Sequence, residues 1–413
     1  MKTTNIKILK SITENVSSLT IIQIANLLLP LVIYPHLITV LKISGIGVLA
    51  LGQTTLTYVM VCVTYGFELT GAKTITTFRK TPKLLYRYYN DIILSMFIMY
   101  LVLLVLIIPI VELINVNKQQ VIIIFLYLLA IPGYILSAKW FFQGLEKLKR
   151  FAIVTLLSKI LYLILVLLLV KEVKDIYLVP VFFSISYLFV GLIFFFQIKK
   201  EYKRSYNINY LRIVSLYKEG WYIFLSRISA SLYSSIGVYI TAFYGDVRLV
   251  GIYDVAHKIY SAICSILSQI SIALYPIQTK MYNSGKDAFR KFFLFSSYGT
   301  FVSSLISLIF IYNFSNSIVG IISDEAVFQS AYYLQLFSIS FLFYPFGGLY
   351  TQNLVLLKQN KVLSQIVFTG FILSLISSIS LTYLFGMEGL IISYSITYAF
   401  IFIAKLITSY RKI

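Results

Sequence analysis

Three basic side chains, Arg227, Lys258 and Lys159, lie inside long apolar runs. A cation held away from bulk water binds anions through charge-assisted hydrogen bonds, so these residue types point to an anion site. Arg227 begins a row continued by Ser231, Ser234 and Thr241 at offsets of 4, 7 and 14. Asp254 begins another, with His257, Lys258, Ser261, Ser265 and Ser268 at 3, 4, 7, 11 and 14. On a helix each row falls on one face. Two further runs carry polar side chains, Gln23 and Asn26 before Pro30 in one, and Gln53, Thr57, Thr64 and Glu68 in the other.

More than one chemistry fits these rows. Serines pack closely between helices and hydrogen-bond across them, or they line a wet cavity. Asp254 and Lys258 are an i,i+4 pair that can simply neutralise each other. With His257, which titrates near neutral pH, Asp254 could instead carry a proton while Lys258 meets an anion. Lys159 and Arg227 could reach out to the headgroups. For Arg227 a lumen is the better reading, because charges deep in a span mostly face an interior. Glu68 and His36 sit near run ends and read as interfacial.

The elements that must position these groups are membrane spans. Of 413 residues, 59% are hydrophobic and 12% charged, against about 25% charged in soluble proteins. Twelve spans of about 20 residues need about 240 apolar-rich positions, about 58% of such a chain. The runs are 16–38, 45–68, 91–111, 119–138, 151–170 and 176–197, then 219–243, 250–277, 292–313, 326–352, 362–385 and 388–409. They lack the alternation a membrane barrel requires. The first is too long for a signal peptide and reads as an uncleaved helix. Seven of the eight prolines, among them Pro132 and Pro276, fall in the runs, where they bend helices.

With the N-terminus inside, 26 of the 35 Lys and Arg fall in the cytoplasmic connections and five in the outer ones. That asymmetry is the positive-inside pattern for twelve spans with both ends cytoplasmic. It also accounts for the net charge of +20 without nucleic acid. The longest polar connection, 198–218, divides the chain into six-helix halves, 1–197 and 219–413. At an offset of 206, Gly45 to Ala50 falls on Gly251 to Ala256, as a parallel repeat would place them.

Signs of catalysis are missing. There is no phosphate-cradling G-x-x-x-x-G-K-[ST], no H-E-x-x-H and no Asp-x-Asp. Two cysteines and two histidines do not supply a zinc site, and no metal or cofactor is called for. The outer loops, including the one holding Asp324 and Glu325, are too short for a membrane polymerase or ligase. The expectation is an all-α integral membrane protein that is not an enzyme.

Trp140-Phe141-Phe142-Gln143-Gly144-Leu145-Glu146 resembles the W-F-F-Q-G-L-E signature of the bacterial polysaccharide-unit flippases, the Wzx-type O-antigen transporters. Tyr65 to Lys73 is similar to the segment closing their second helix, and Pro30 to Gly47 to their first helix and turn. The chain departs from them at Thr64, often acidic there, and at Pro35-His36, often Pro-Tyr. The resemblance implies the multidrug/oligosaccharidyl-lipid/polysaccharide exporter fold, two six-helix bundles around a central cavity. It implies a plasma (inner) membrane location and an undecaprenyl-diphosphate-linked oligosaccharide moved from inner to outer leaflet by alternating access, with a polysaccharide polymerase as a possible neighbour. Arg227, Lys258 and Lys159 would then meet the diphosphate. The Ser, Gln and Asn rows (Gln23, Asn26, Gln53, Ser231, Ser234, Ser261, Ser265) would meet sugars, and the polyprenyl tail would stay among membrane lipids. A cation-coupled exporter of small molecules is the alternative within this architecture. It would want an acidic cavity, whereas the charges here lean basic.

Overall fold

The computed structural model describes residues 2–113, 117–202, 208–322 and 327–412. Asp324 and Glu325, and Lys203 and Arg204 of the basic connection, lie outside the described residues. Among the described residues there are helices and no strands. Hydrocarbon explains this, because only a helix satisfies its backbone groups within one segment. Nine helices among them are long and apolar enough to cross a membrane. Two of these hold a pair of crossings each. Helix α1 (Lys2–Thr64) breaks at Lys42, φ 63°, and the last helix, Asn360–Lys412, breaks at Gly386, φ 62°. Two shorter helices, Val327–Ser338 and Tyr344–Leu356, together cover the run expected at 326–352, interrupted by a 3-10 turn. The twelve expected crossings are thereby accounted for.

The chain forms two compact units, Met1–Leu41 with Leu51–Phe224, and Lys42–Ala50 with Leu225–Ile413. The division falls at Phe224, inside the helix Tyr210–Tyr244, rather than within 198–218. The reason lies in the start of that helix. Arg212 pairs with Asp91, Tyr217 donates to the Ser95 carbonyl at 2.8 Å, and the Phe224 ring stacks on Tyr65 at 4.3 Å. These contacts hold its first turns to the first unit.

The first unit contains α2 (Phe67–Thr77), α3 (Pro82–Leu113), α4 (Lys118–Leu128), α5 (Ala130–Ser137), α6 (Lys139–Gly144), α7 (Leu148–Leu169) and α8 (Leu178–Tyr202). Helices α4 and α5 are one span broken near Pro132. Proline has no N–H for the Leu128 carbonyl four residues back, and the Tyr100 hydroxyl donates to that oxygen at 3.2 Å. The W-F-F-Q-G-L-E stretch is a buried wedge, with Phe141 fully buried among Tyr89, Trp140 and Phe142. A Cβ on Gly144 would run into the Ala72 carbonyl and Ile75, so glycine lets α6 lie directly on α2. At the wedge's end Glu146 pairs with Arg79 at 3.1 Å. His36, expected at an interface, bonds the Val170 carbonyl at 2.9 Å.

The second unit contains α9 from Leu225 onward (the helix is Tyr210–Tyr244), α10 (Val247–Asn283), α11 (Lys286–Ile322), α12 (Val327–Ser338), α13 (Tyr344–Leu356) and α14 (Asn360–Lys412). Segment 42–50 packs here. A Cβ on Gly47 would strike the Val247 carbonyl, and one on Gly251 the Ile43 carbonyl. The two stretches that align at an offset of 206 therefore pack backbone to backbone.

Candidate functional site

Within the first unit, α1, α5, α6, α7 and α8 enclose a cavity of about 130 Å³. Its position follows from a glycine contact. Gly133 on α5 and Gly191 on α8 meet so closely that a Cβ on either would overlap the other helix's backbone. Side chains one turn away from that contact fill the adjoining space. Lys159 on α7 donates to the Asn26 amide oxygen on α1 at 2.5 Å. Lys139, Tyr134, Ser137, Thr155, Ser158, Ser186 and Tyr187 complete the polar lining. Among the described residues two lysines line the cavity and no carboxylate does. Glu68 stands one step back, accepting a hydrogen bond from the Tyr134 hydroxyl. Ser158 and Ser186 donate to backbone carbonyls at 2.7 Å, which leaves their oxygens as acceptors. The buried Thr155 hydroxyl has no partner among the described residues. Such a lining suits an anion whose remaining oxygens or hydroxyls can meet neutral hydroxyls.

In the second unit, Lys258 donates to Asp254 at 2.9 Å along α10. The carboxylate is buried and the ammonium is half-buried. The His257 ring stacks on Tyr253, with centroids 5.6 Å apart and planes 10° apart, and packs against Phe337 and Tyr394. Tyr253 donates its hydroxyl to that of Tyr394 at 2.8 Å, and Tyr394 reaches the Ser234 carbonyl on α9 at 3.3 Å. Asp254, His257, Lys258 and Ser234 are thus neighbours in one polar-aromatic cluster.

The other expected residues are placed as follows. Arg227 is half-buried on α9, two turns before Ser234. Ser231 has a buried hydroxyl without a hydrogen-bond partner among the described residues. Ser265 bonds back to the Ser261 carbonyl at 2.9 Å, as helix-packed serines do. Gln23 and Gln53 are half-buried and do not line the first unit's cavity.

Several cavity residues were missed. Lys139, which directly precedes the W-F-F-Q-G-L-E stretch, is one of the 26 basic residues that the positive-inside pattern assigns to cytoplasmic connections. Thr155, Ser158 and Lys159 stand at i, i+3 and i+4, a one-face signal that was available. Lys405 was missed too. It is buried on α14 and donates to Thr351 Oγ1 at 2.8 Å and the Gly347 carbonyl at 3.3 Å.

A family model described as polysaccharide biosynthesis protein matches residues 12–282. Two similar proteins bear the name "Putative O-antigen transporter". One, from Escherichia coli (strain K12), is 26% identical over 267 residues, 64% of this chain and 64% of that protein. The other, from Shigella dysenteriae, is 25% identical over 385 residues, 92% of this chain and 95% of its own length. Among solved structures, the lipid II flippase MurJ in an inward closed conformation superposes with a TM-score of 0.69 at 14% identity, covering 95% of this chain and 87% of that one. An inward-facing multidrug resistance MATE family transporter of the MOP superfamily gives 0.68 at 12% identity, covering 89% and 93%. At those identities the likeness is one of fold, which is that of the MOP-superfamily transporters.

Proposed function

The chain belongs to the polysaccharide biosynthesis protein family, and from that premise we propose that it flips a lipid-linked saccharide unit across a membrane. The cargo is an undecaprenyl-diphosphate-linked oligosaccharide, and the direction is from the inner to the outer leaflet of the bacterial plasma membrane, with both termini cytoplasmic. The names of its relatives support the cargo class. The observation that carries the reading is the cavity lined by Lys159 and Lys139 and, among the described residues, by no carboxylate. A cavity for cationic drugs would need the opposite charge.

The diphosphate is the costly part of the cargo, because an unpaired anion in hydrocarbon is prohibitive. Lysine ammonium groups replace its lost water with charge-assisted bonds. Hydroxyls of Thr155, Ser158 and Ser186 and the Asn26 amide suit saccharide hydroxyls. In the second unit Arg227 and Lys258 would take over the same charge as the protein alternates its access. No bond in the cargo is made or broken. With the cell interior negative, an anion moving outward runs down the field, at about 2.3 kcal/mol per charge per 100 mV and so about 4–5 kcal/mol for two charges. Inward proton movement through Asp254 and His257 would add to that drive.

The test is export in cells, read as lipid-linked glycan exposed on the outer leaflet, with protein abundance measured alongside. The Lys159→Ala, Lys139→Ala double variant is expected to lose export at normal abundance. Undiminished export would remove the cavity from the mechanism.

A further inference from the structure

A second cavity in the first unit, of about 570 Å³, lies along α2, between it and Glu219 and Ile223 of α9. Lys73 and Glu219 both line it, yet neither forms an ion pair with the other or with any described residue. Opposite charges facing one space without touching suit a ligand that carries both signs. On the α2 side stand Thr70, Thr74 and Thr77, spaced at i, i+4 and i+7. Each donates its hydroxyl proton to a carbonyl one turn back, those of Gly66, Thr70 and Lys73. Their oxygens are therefore left as acceptors, facing the cavity on one side of the helix. Tyr88 and Phe78, stacked with centroids 5.4 Å apart, present aromatic surface to the same space. A carboxylate, three acceptor oxygens and an aromatic face are partners for an ammonium group. Lys73 is a partner for a phosphate.

The depth of the cavity fits a headgroup. Helix α9 has 35 residues, about 52 Å at 1.5 Å per residue, against about 30 Å of hydrocarbon. The run 219–243 alone is about 37 Å long, so Glu219 at its start stands a few Å outside the hydrocarbon edge, in the headgroup layer of about 5–7 Å. Leu69, 54% exposed beside Thr70, offers an apolar shelf for the start of an acyl chain.

We propose that this cavity binds the headgroup of an aminophospholipid, its phosphate on Lys73 and its primary ammonium on Glu219 and the threonine oxygens. A trimethylated headgroup lacks the N–H donors that those oxygens need. An anionic headgroup without an amine would meet Glu219 as a like charge. The inference does not depend on what the protein transports.

The test uses the full-length protein in detergent, titrated with phosphatidylethanolamine, phosphatidylcholine or phosphatidylglycerol, with bound lipid counted by intact-protein mass spectrometry. Phosphatidylethanolamine is expected to bind at least fivefold more tightly than the other two. Glu219→Gln should erase that preference and leave phosphatidylglycerol binding equal or stronger, while Lys73→Gln should weaken binding of all three phospholipids. Soluble phosphoethanolamine at millimolar concentration should compete, and inorganic phosphate should not. Equal binding of the three lipids, or a preference that survives Glu219→Gln, would overturn the assignment. So would displacement of bound phosphatidylethanolamine by undecaprenyl phosphate at equal concentration, which would make the cavity a cargo site.

Discussion

Arg212 holds Asp91 with two parallel hydrogen bonds, Nε to Oδ2 at 2.8 Å and Nη2 to Oδ1 at 3.1 Å. The carboxylate is 1% exposed and the guanidinium side chain 22%. The pair joins the first turn of α9 to α3, and it is the geometry in which arginine is not replaceable by lysine.

Removing the cation leaves that carboxylate inside the protein, a change that typically costs about 3–5 kcal/mol. Arg212→Ala is therefore expected to lower the thermal unfolding temperature in detergent by several degrees. Arg212→Lys, which keeps the charge and loses the fork, should fall between wild type and alanine. The Asp91→Asn, Arg212→Gln double variant should recover part of the loss, because neither charge is then stranded. Equal stability of wild type and Arg212→Ala would show that the pair is solvated in solution.

Lys159 and Asn26 give a prediction that separates stability from transport. Asn26→Asp places a carboxylate 2.5 Å from the ammonium, where the two would form an ion pair. The variant should unfold at an equal or higher temperature, since an opposite charge is added beside a half-buried lysine. If the cavity must accept an anion, the same change should cut export at least tenfold by occupying Lys159 and adding like charge. Intact export in Asn26→Asp would argue that Lys159 serves structure alone.

How much of this was legible in the sequence follows from the range of each contact. The spans were legible because apolar runs of twenty residues have few other uses, and the kink at Gly386 fell between two of them. Lys159 and Asn26 were each singled out as buried polar groups. Their pairing was not legible, because they are 133 residues apart and periodicity reports only which face a residue shares with its near neighbours. Lys139 was hidden by its place among loop lysines. What exposes it to the cavity is the turn at Ala138, φ 44°, and no composition rule predicts a left-handed alanine. Where the division between the units falls is not legible for a related reason. The polar stretch before α9 reads as a linker, but its tertiary anchors Asp91, Ser95 and Tyr65 all lie in the first unit.

The contact between Gly133 and Gly191 sets the spacing of α5 and α8 beside the cavity. A methyl on Gly133 would come 2.5 Å from the Tyr187 oxygen and from the Leu188 nitrogen. Both are backbone atoms, so the helices must separate. Overpacking of this sort costs about 1–3 kcal/mol, and it would also move Tyr187 and Ser186 in the cavity wall. Gly133→Ala is expected to lower the unfolding temperature and reduce export together. Gly320→Ala, whose Cβ would meet nothing within 4 Å, should alter neither. An unchanged unfolding temperature in Gly133→Ala would mean the two helices sit further apart than described.

Asp254 and Lys258 are unequally buried, and that difference separates neutralisation from proton transfer. Asp254 is 4% exposed, while the lysine side chain is 23% exposed and can turn toward water. If their role is mutual neutralisation, Lys258→Gln should destabilise more than Asp254→Asn, since it strands the more buried charge. The Asp254→Asn, Lys258→Gln double variant should then regain both stability and export. If Asp254 instead carries a proton with His257, the double variant should regain stability alone, because the titrating carboxylate is gone. The ion pair at 2.9 Å favours the first outcome for stability. For export, the packing of His257 against Tyr253, Phe337 and Tyr394, one turn from Asp254 on α10, gathers both side chains into one cluster, the arrangement that the second outcome requires. The expected result is therefore a double variant with wild-type unfolding temperature and reduced export, measured as outer-leaflet glycan at matched protein abundance. Full export would reduce the cluster to a packing element.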